Sequence, residues 1–292
     1  MSPKDLLIAS VVILAWGVNF VVIKLGLHGV PPMLLGALRF ALAAVPAIFV
    51  KRPQIPLRWL FAYGLTISLG QFSLLFYGMY VGMPAGLASL VLQAQAFFTL
   101  IFASMFLGER IRAANVAGLV IAAAGLALIG MRGGQAMTMT GFLFTLAAAA
   151  MWALGNIVTK RMGPVDLLSL VVWGSLIPPL PFLALSLIFE GPARIETSLA
   201  SIPLVSVFAI LYLAFIATIV GYSLWGKLLA RYPAGSVAPF SLLVPVIGLA
   251  SAAVFLGEAL SAAQVAGAAL VMAGLAVNVF GARLVQRILP AR

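Results

Sequence analysis

Ten times along the chain an apolar run begins after a Gly/Pro cluster or a charge and continues to the next such break, the runs covering roughly 5–24, 33–50, 59–80, 85–107, 114–131, 140–160, 167–189, 203–229, 236–256 and 262–282. Each approaches the ~20 residues a helix needs to cross a hydrocarbon core about 30 Å thick. In that medium every backbone N–H and C=O must be satisfied within the fold, and unbroken apolar runs, as opposed to alternating ones, satisfy them as helices. With 64% apolar and 8% charged residues, the composition lies far from that of soluble domains, which is about half apolar and about a quarter charged. The expected fold class is an all-α membrane protein with ten transmembrane helices. The first run is longer than the h-region of a signal peptide and leads straight into further runs, so it is assigned as the first helix.

The net charge of +11 comes from basic residues dispersed singly or in pairs between the runs. Phosphate recognition needs a clustered stripe, so no nucleic-acid partner is expected and the charges mark topology instead. With both termini in the cytoplasm, Lys4, Lys51, Arg52, Arg58, Arg110, Arg112, Lys160, Arg161, Arg231, Arg283, Arg287 and Arg292 lie inside, against Lys24, Arg132 and Arg194 outside. That bias satisfies the positive-inside rule. Arg39 and Lys227 fall within spans.

A second feature organises the chain. Residues 84–127, shifted by 149 onto 233–276, match at 18 of 44 positions without a gap, from Pro84/Pro233 to Gly108/Gly257 and Glu109/Glu258. A fainter echo joins "WGVNFVVIK" at Trp16 to "WALGNIVTK" at Trp152. The chain therefore divides into two repeats, 1–135 and 136–292. Five helices per repeat force the second to enter the membrane upside down, an arrangement that lets two similar halves exchange conformations about a central site.

There is no cysteine and one histidine, and all six carboxylates lie at helix ends or in loops. Thiol chemistry, a metal cluster and acid catalysis at membrane depth therefore lack their residues; the expected protein is no enzyme and holds no metal. Arg39 lies about two turns into its span, where an unpaired guanidinium is costly, so it should face the interior and favour an anionic substrate group. Lys227, four residues from Arg231, either serves the same role or snorkels to the interface. Gln93 and Gln95 must find partners in hydrocarbon. Spaced by two on an α-helix they point about 200° apart, so one is expected to line the pathway while the other bonds a neighbouring helix. Ser241 is the polar residue near the matching stretch of the second repeat. Tyr77, Tyr80 and Trp173 are candidates for an apolar wall, with Trp16 and Trp152 in the spans of the echo. Pro239 and Pro245 supply kinks for a gate. Gly118, Gly125, Gly267 and Gly274 recur every seven residues and predict close helix packing.

With "FLGER" at Phe106 and "FLGEA" at Phe255 closing the fourth and ninth helices, the chain resembles the EamA-type branch of the drug/metabolite transporter superfamily over essentially its whole length. The stretches "AWGVNFVVIKLGLHGVPPMLLGALRF", "GMPAGLASLVLQAQAFFTL" and "LAFIATIVGYSLWGKLLARYPAGSVAPFSLLVPV" are similar to bacterial exporters of cysteine and O-acetylserine and, more distantly, to YddG-type aromatic amino acid exporters. The resemblance implies residence in the bacterial inner membrane, no tightly bound cofactor, a cavity between the halves and export of amino acids or their derivatives. Nucleotide-sugar and drug carriers share the fold and form the alternative. The small four-helix multidrug members carry a first-helix glutamate that this chain lacks. A small-molecule amino acid substrate and membrane lipid are the expected partners. Ten helices suffice for a complete pathway in one chain, which favours a monomer.

Overall fold

The computed structural model of the chain describes residues 1–131 and 137–288. The expected repeat boundary at 135/136 and two of the basic residues counted for topology, Arg132 and Arg292, lie outside them. Among the described residues there is no strand. Nine helices among the described residues are long and apolar enough to cross a membrane: α1 Pro3–Leu27, α3 Leu57–Tyr80, α4 Ala85–Leu107, α5 Ala113–Met131, α6 Met139–Met162, α7 Leu167–Phe189, α8 Leu204–Arg231, α9 Pro239–Leu256 and α10, whose apolar span is Ala262–Gly281. Between α1 and α3 stands the shorter apolar α2, Pro32–Ile48. Together they form the ten-helix fold of two inverted five-helix repeats.

Local chemistry sets where helices start and stop. Thr138 accepts a hydrogen bond from Gly141 N–H at 3.0 Å and opens α6, and Asp166 accepts one from Ser169 N–H at 2.8 Å to open α7, both as N-caps. The two repeated LGE motifs end α4 and α9 identically. Gly108 takes φ +69° and Gly257 φ +65°, a left-handed cap geometry open to glycine without strain. In both, the glutamate N–H that follows donates back to an alanine carbonyl, Ala103 or Ala252, at 3.3 Å.

One feature was invisible as a span. Pro192–Ala200 is a short helix between α7 and α8; its sequence, PARIETSLA, buries only Ile195.

The repeats meet most closely where α5 packs on α10. A Cβ added to Gly118 would stand 2.6 Å from the Gly274 carbonyl oxygen, and one added to Gly125 would stand 2.6 Å from that of Gly267. These backbones touch with no room for a methyl group, as the seven-residue glycine spacing predicts. Nearby, Asn115 Nδ2 donates to Asn278 Oδ1 at 2.6 Å.

Candidate functional site

The helices around the centre are irregular, and the irregularities recur in both repeats. α3 widens into π-helical turns over Gly64–Gly70, and α8 does so over Tyr212–Val220. α4 tightens to a 3-10 turn over Leu92–Ala94, and α9 over Ala238–Leu242. Such interruptions cost regular hydrogen bonds and are common at functional sites. Here Ile67, Ala217, Leu92, Gln93 and Ser241, drawn from all four stretches, line one cavity of about 320 Å³. Trp16 and Asn19 of α1, Arg39 of α2, Gln71 and Phe72 of α3, Trp152 and Asn156 of α6, and Tyr222 and Trp225 of α8 complete its centre.

Arg39 is 2% exposed. Its guanidinium carbon lies 3.8 Å from the centre of the Phe72 ring, with Phe40 at 5.1 Å and Phe76 at 5.8 Å, a cation–π setting that partly replaces lost hydration. The π-helical turns of α8 supply its one hydrogen bond. Thr218 reaches five residues back to donate to Leu213 O at 2.7 Å, and accepts from Arg39 Nη2 at 3.1 Å. Arg39 Nε and Nη1 have no partner, and neither do Asn19 Oδ1 and Gln71 Oε1. Among the described residues, every buried side-chain nitrogen or oxygen without a partner belongs to a residue that lines this cavity. Each such atom costs about 1–3 kcal/mol of desolvation when left unmet. Concentrating them in one place costs stability and presents two donors and two acceptors to whatever enters.

Gln93 and Gln95 both line the cavity, where the α-helical spacing predicts only one. The reason is the 3-10 turn at Leu92–Ala94. At three residues per turn a separation of two spans about 240°, so the side chains diverge by ~120° where an α-helix would set them ~160° apart. Both also bond neighbouring helices: Gln93 Nε2 donates to Ser241 O at 3.4 Å, and Gln95 Oε1 accepts from Asn156 Nδ2 at 3.1 Å.

The remaining candidates lie elsewhere. Tyr77 packs edge-on against Phe144, with ring centres 4.9 Å apart, and the Tyr80 hydroxyl accepts from Arg194 at 2.7 Å; both residues are exposed. Trp173 donates to Val50 O at 2.8 Å, bracing α7 against the end of α2. Lys227 is exposed on α8. Pro239 sits in the 3-10 turn of α9, and Pro245 is buried two residues into the α-helix that follows. Asn19 and Gln71 are cavity residues that sequence reasoning missed. A lone amide inside an apolar run is the signal that could have found them, the same signal that singled out Gln93 and Gln95.

At one end of the bundle the two repeats are tied together. There Glu258, past the end of α9, accepts from the first two amides of α4, Ala85 N at 2.8 Å and Gly86 N at 2.9 Å. Both carboxylate oxygens thus meet the positive end of a helix dipole. Lys24 donates to Met79 O at 3.0 Å and lies within electrostatic reach of Glu258, while Met79, Met83, Ala85 and Leu87 are wholly buried. Toward the opposite end the lining continues through Thr159, Leu167 and Leu229, all within three residues of a helix terminus. At that end Glu109, the repeat-mate of Glu258, pairs with Lys160, both about half exposed. Nearby, Asp5 accepts from Ser2 Oγ, Arg231 Nη1 and the Tyr232 hydroxyl, tying the start of α1 to the end of α8.

A cavity that carries unpaired polar atoms between two inverted membrane-spanning halves is the architecture of a multi-pass transporter. The chain belongs to the EamA-like transporter family, whose model matches residues 4–131 and again 139–280. It is 54% identical over 291 residues to a protein of Salmonella typhimurium named "Probable amino-acid metabolite efflux pump", covering 97% of each chain. An Escherichia coli K12 protein of the same name is 51% identical over 290 residues, again covering 97% of each. A Streptantibioticus cattleyicolor protein named "Probable terminal-alkyne amino-acid exporter" is 28% identical over 90% of this chain and 89% of that protein. A crystal structure 24% identical in sequence superposes over the whole of both chains with a TM-score of 0.64, a likeness of fold.

Proposed function

We propose that the chain exports amino acids or amino-acid-derived metabolites across the bacterial inner membrane by alternating access, with repeats 1–135 and 136–292 as its two halves and both termini in the cytoplasm. The observation that carries the reading is the buried guanidinium of Arg39, which turns two unpartnered donors into a central cavity. A carboxylate is the group such donors fit, because a charge-assisted pair at depth recovers the desolvation of both partners. The names of the efflux-pump relatives favour the same substrate class. At about 320 Å³ the cavity is near the lower bound of ligand pockets, about 300 Å³, a scale that suits an amino acid better than a nucleotide sugar.

In this reading Arg39 holds the carboxylate, Gln93, Gln95 and the Ser241 stretch line the path, and Trp16 and Trp152 form its apolar wall. The cavity is open to the cytoplasm, where the basic residues concentrate, and the Glu258 cap on α4 shuts it outside. Transport exchanges these conditions: α4 leaves Glu258, while Glu109 leaves Lys160 and caps the short helical turn Ala234–Val237 ahead of α9, whose first amides are the repeat-mates of those at Ala85 and Gly86. Pro239 and Pro245 flank the turn at which α9 bends. One chain supplies the whole pathway.

Counterflow into proteoliposomes tests this with phenylalanine, cysteine, O-acetylserine, a lipophilic cation and a sugar nucleotide. Amino acids should move, and Arg39→Gln should weaken their binding by about 1–3 kcal/mol, the scale of a hydrogen bond to a charged group. A carboxamide analogue should lose far less. Movement of the cation or the nucleotide alone would overturn the reading.

A further inference from the structure

Resting on that reading, we infer that Asn19 and Gln71 form the second pole of the substrate site and select molecules that carry a free ammonium group beside the carboxylate. Asn19 is 9% exposed and Gln71 3%; Asn19 Oδ1 and Gln71 Oε1 are buried without a partner, and both residues line the cavity that Arg39 lines. Both oxygens only accept. The cavity thus holds two unmet donors on one residue and two unmet acceptors on two others, from three different helical turns. A carboxylate satisfies the donors and leaves the acceptors stranded. An ammonium on the same molecule satisfies both sets, with three N–H donors for two amide oxygens.

Among the described residues no Asp or Glu lines the cavity, and this sharpens the selection. Neutral acceptors bind an ammonium only by hydrogen bonds, while Arg39 repels any uncompensated cation. A zwitterion arrives with its own compensation. An amine without a carboxylate meets Arg39 unscreened, and a carboxylic acid without an amine leaves Asn19 and Gln71 unmet. N-acylation should exclude a substrate as well, since it leaves one N–H where two acceptors wait and adds bulk in the same place.

The test pairs each amino acid with its des-amino acid: phenylalanine with 3-phenylpropionate, cysteine with 3-mercaptopropionate, and O-acetylserine with 3-acetoxypropionate. In wild-type proteoliposomes the des-amino acid should compete at least about tenfold more weakly than the amino acid, the factor that loss of a hydrogen bond to a charged group produces. In Gln71→Met and Asn19→Leu, which keep volume and remove the acceptor, that ratio should collapse toward one. Discrimination between acid and carboxamide, which Arg39 sets, should persist. Equal competition by acid and amino acid in the wild type overturns the inference with no variant needed, and so does an unchanged ratio in both variants. Failure of every amino acid to move in the wild type instead sinks the export reading, and the second pole with it.

Discussion

The two ends of the molecule carry one motif and use it differently. At one end Glu258 is bound bidentately by two backbone amides at the start of α4. At the other end Glu109, in the same FLGE sequence with the same left-handed glycine before it, sits half-exposed on Lys160. Hydrogen bonds to a charged group at a helix start contribute about 1.5–3 kcal/mol each, whereas a solvent-exposed ion pair contributes about 0–1 kcal/mol. The end at Glu258 is therefore tied firmly and the end at Glu109 only weakly. Identical sequence does not dictate identical contact: Glu258 meets a helix start, and Glu109 meets Lys160.

Three experiments break or sharpen this contrast, in falling order of effect. The inversion itself gives an all-or-none result. The chain has no cysteine, so Arg110→Cys and Ala259→Cys, each beside its glutamate and exposed, should label with an impermeant reagent from opposite faces of the membrane. Labelling from one face would abolish the comparison. Next, Glu258→Ala should remove about 3–6 kcal/mol from that end, the sum of its two bonds. Ala85→Cys, buried in the native protein, should then react at least about tenfold faster from the Glu258 side. A cysteine that stays unreactive shows that packing alone shuts that end. The smallest effect belongs to Lys160→Ala. Freeing Glu109 removes up to about 1 kcal/mol from the open state, so labelling of Thr159→Cys from the Glu109 side should fall by no more than about fivefold. A rise would mean that Lys160 holds the end closed, opposite to its role here.

Much of the fold was legible because a membrane punishes exceptions: span lengths, the inverted repeat and the tight α5–α10 contact all follow from apolar runs and glycine spacing. Arg39 was legible for the same reason, since a guanidinium at that depth has to turn inward. The rest depended on backbone irregularity. A 3-10 turn put Gln93 and Gln95 on one cavity against the α-helical expectation, and π-helical turns aimed Thr218 at Arg39; neither leaves a mark in hydropathy. Tyr77 and Tyr80 share a helical face, as their spacing predicts, but spacing does not give depth, and they stand near the end of α3. Asn19 and Gln71 carry no mark of their own in the sequence, since isolated amides are common adhesive between membrane helices. Only the absence of any partner distinguishes them.

The glycine contact between α5 and α10 has a mechanical corollary. Backbones that touch, with a carbonyl oxygen 2.6 Å from where a methyl would stand, leave no layer of side chains to shear, so the two halves cannot slide past one another along that line. Tilting is the freedom left to them. A helix of ~20 residues is about 30 Å long, and a tilt of about 10° around its middle swings each end by about 2.6 Å in opposite directions. That stroke is enough to break a hydrogen bond at one end of the lever while bringing groups together at the other, the scale that the exchange proposed for Glu258 and Glu109 requires.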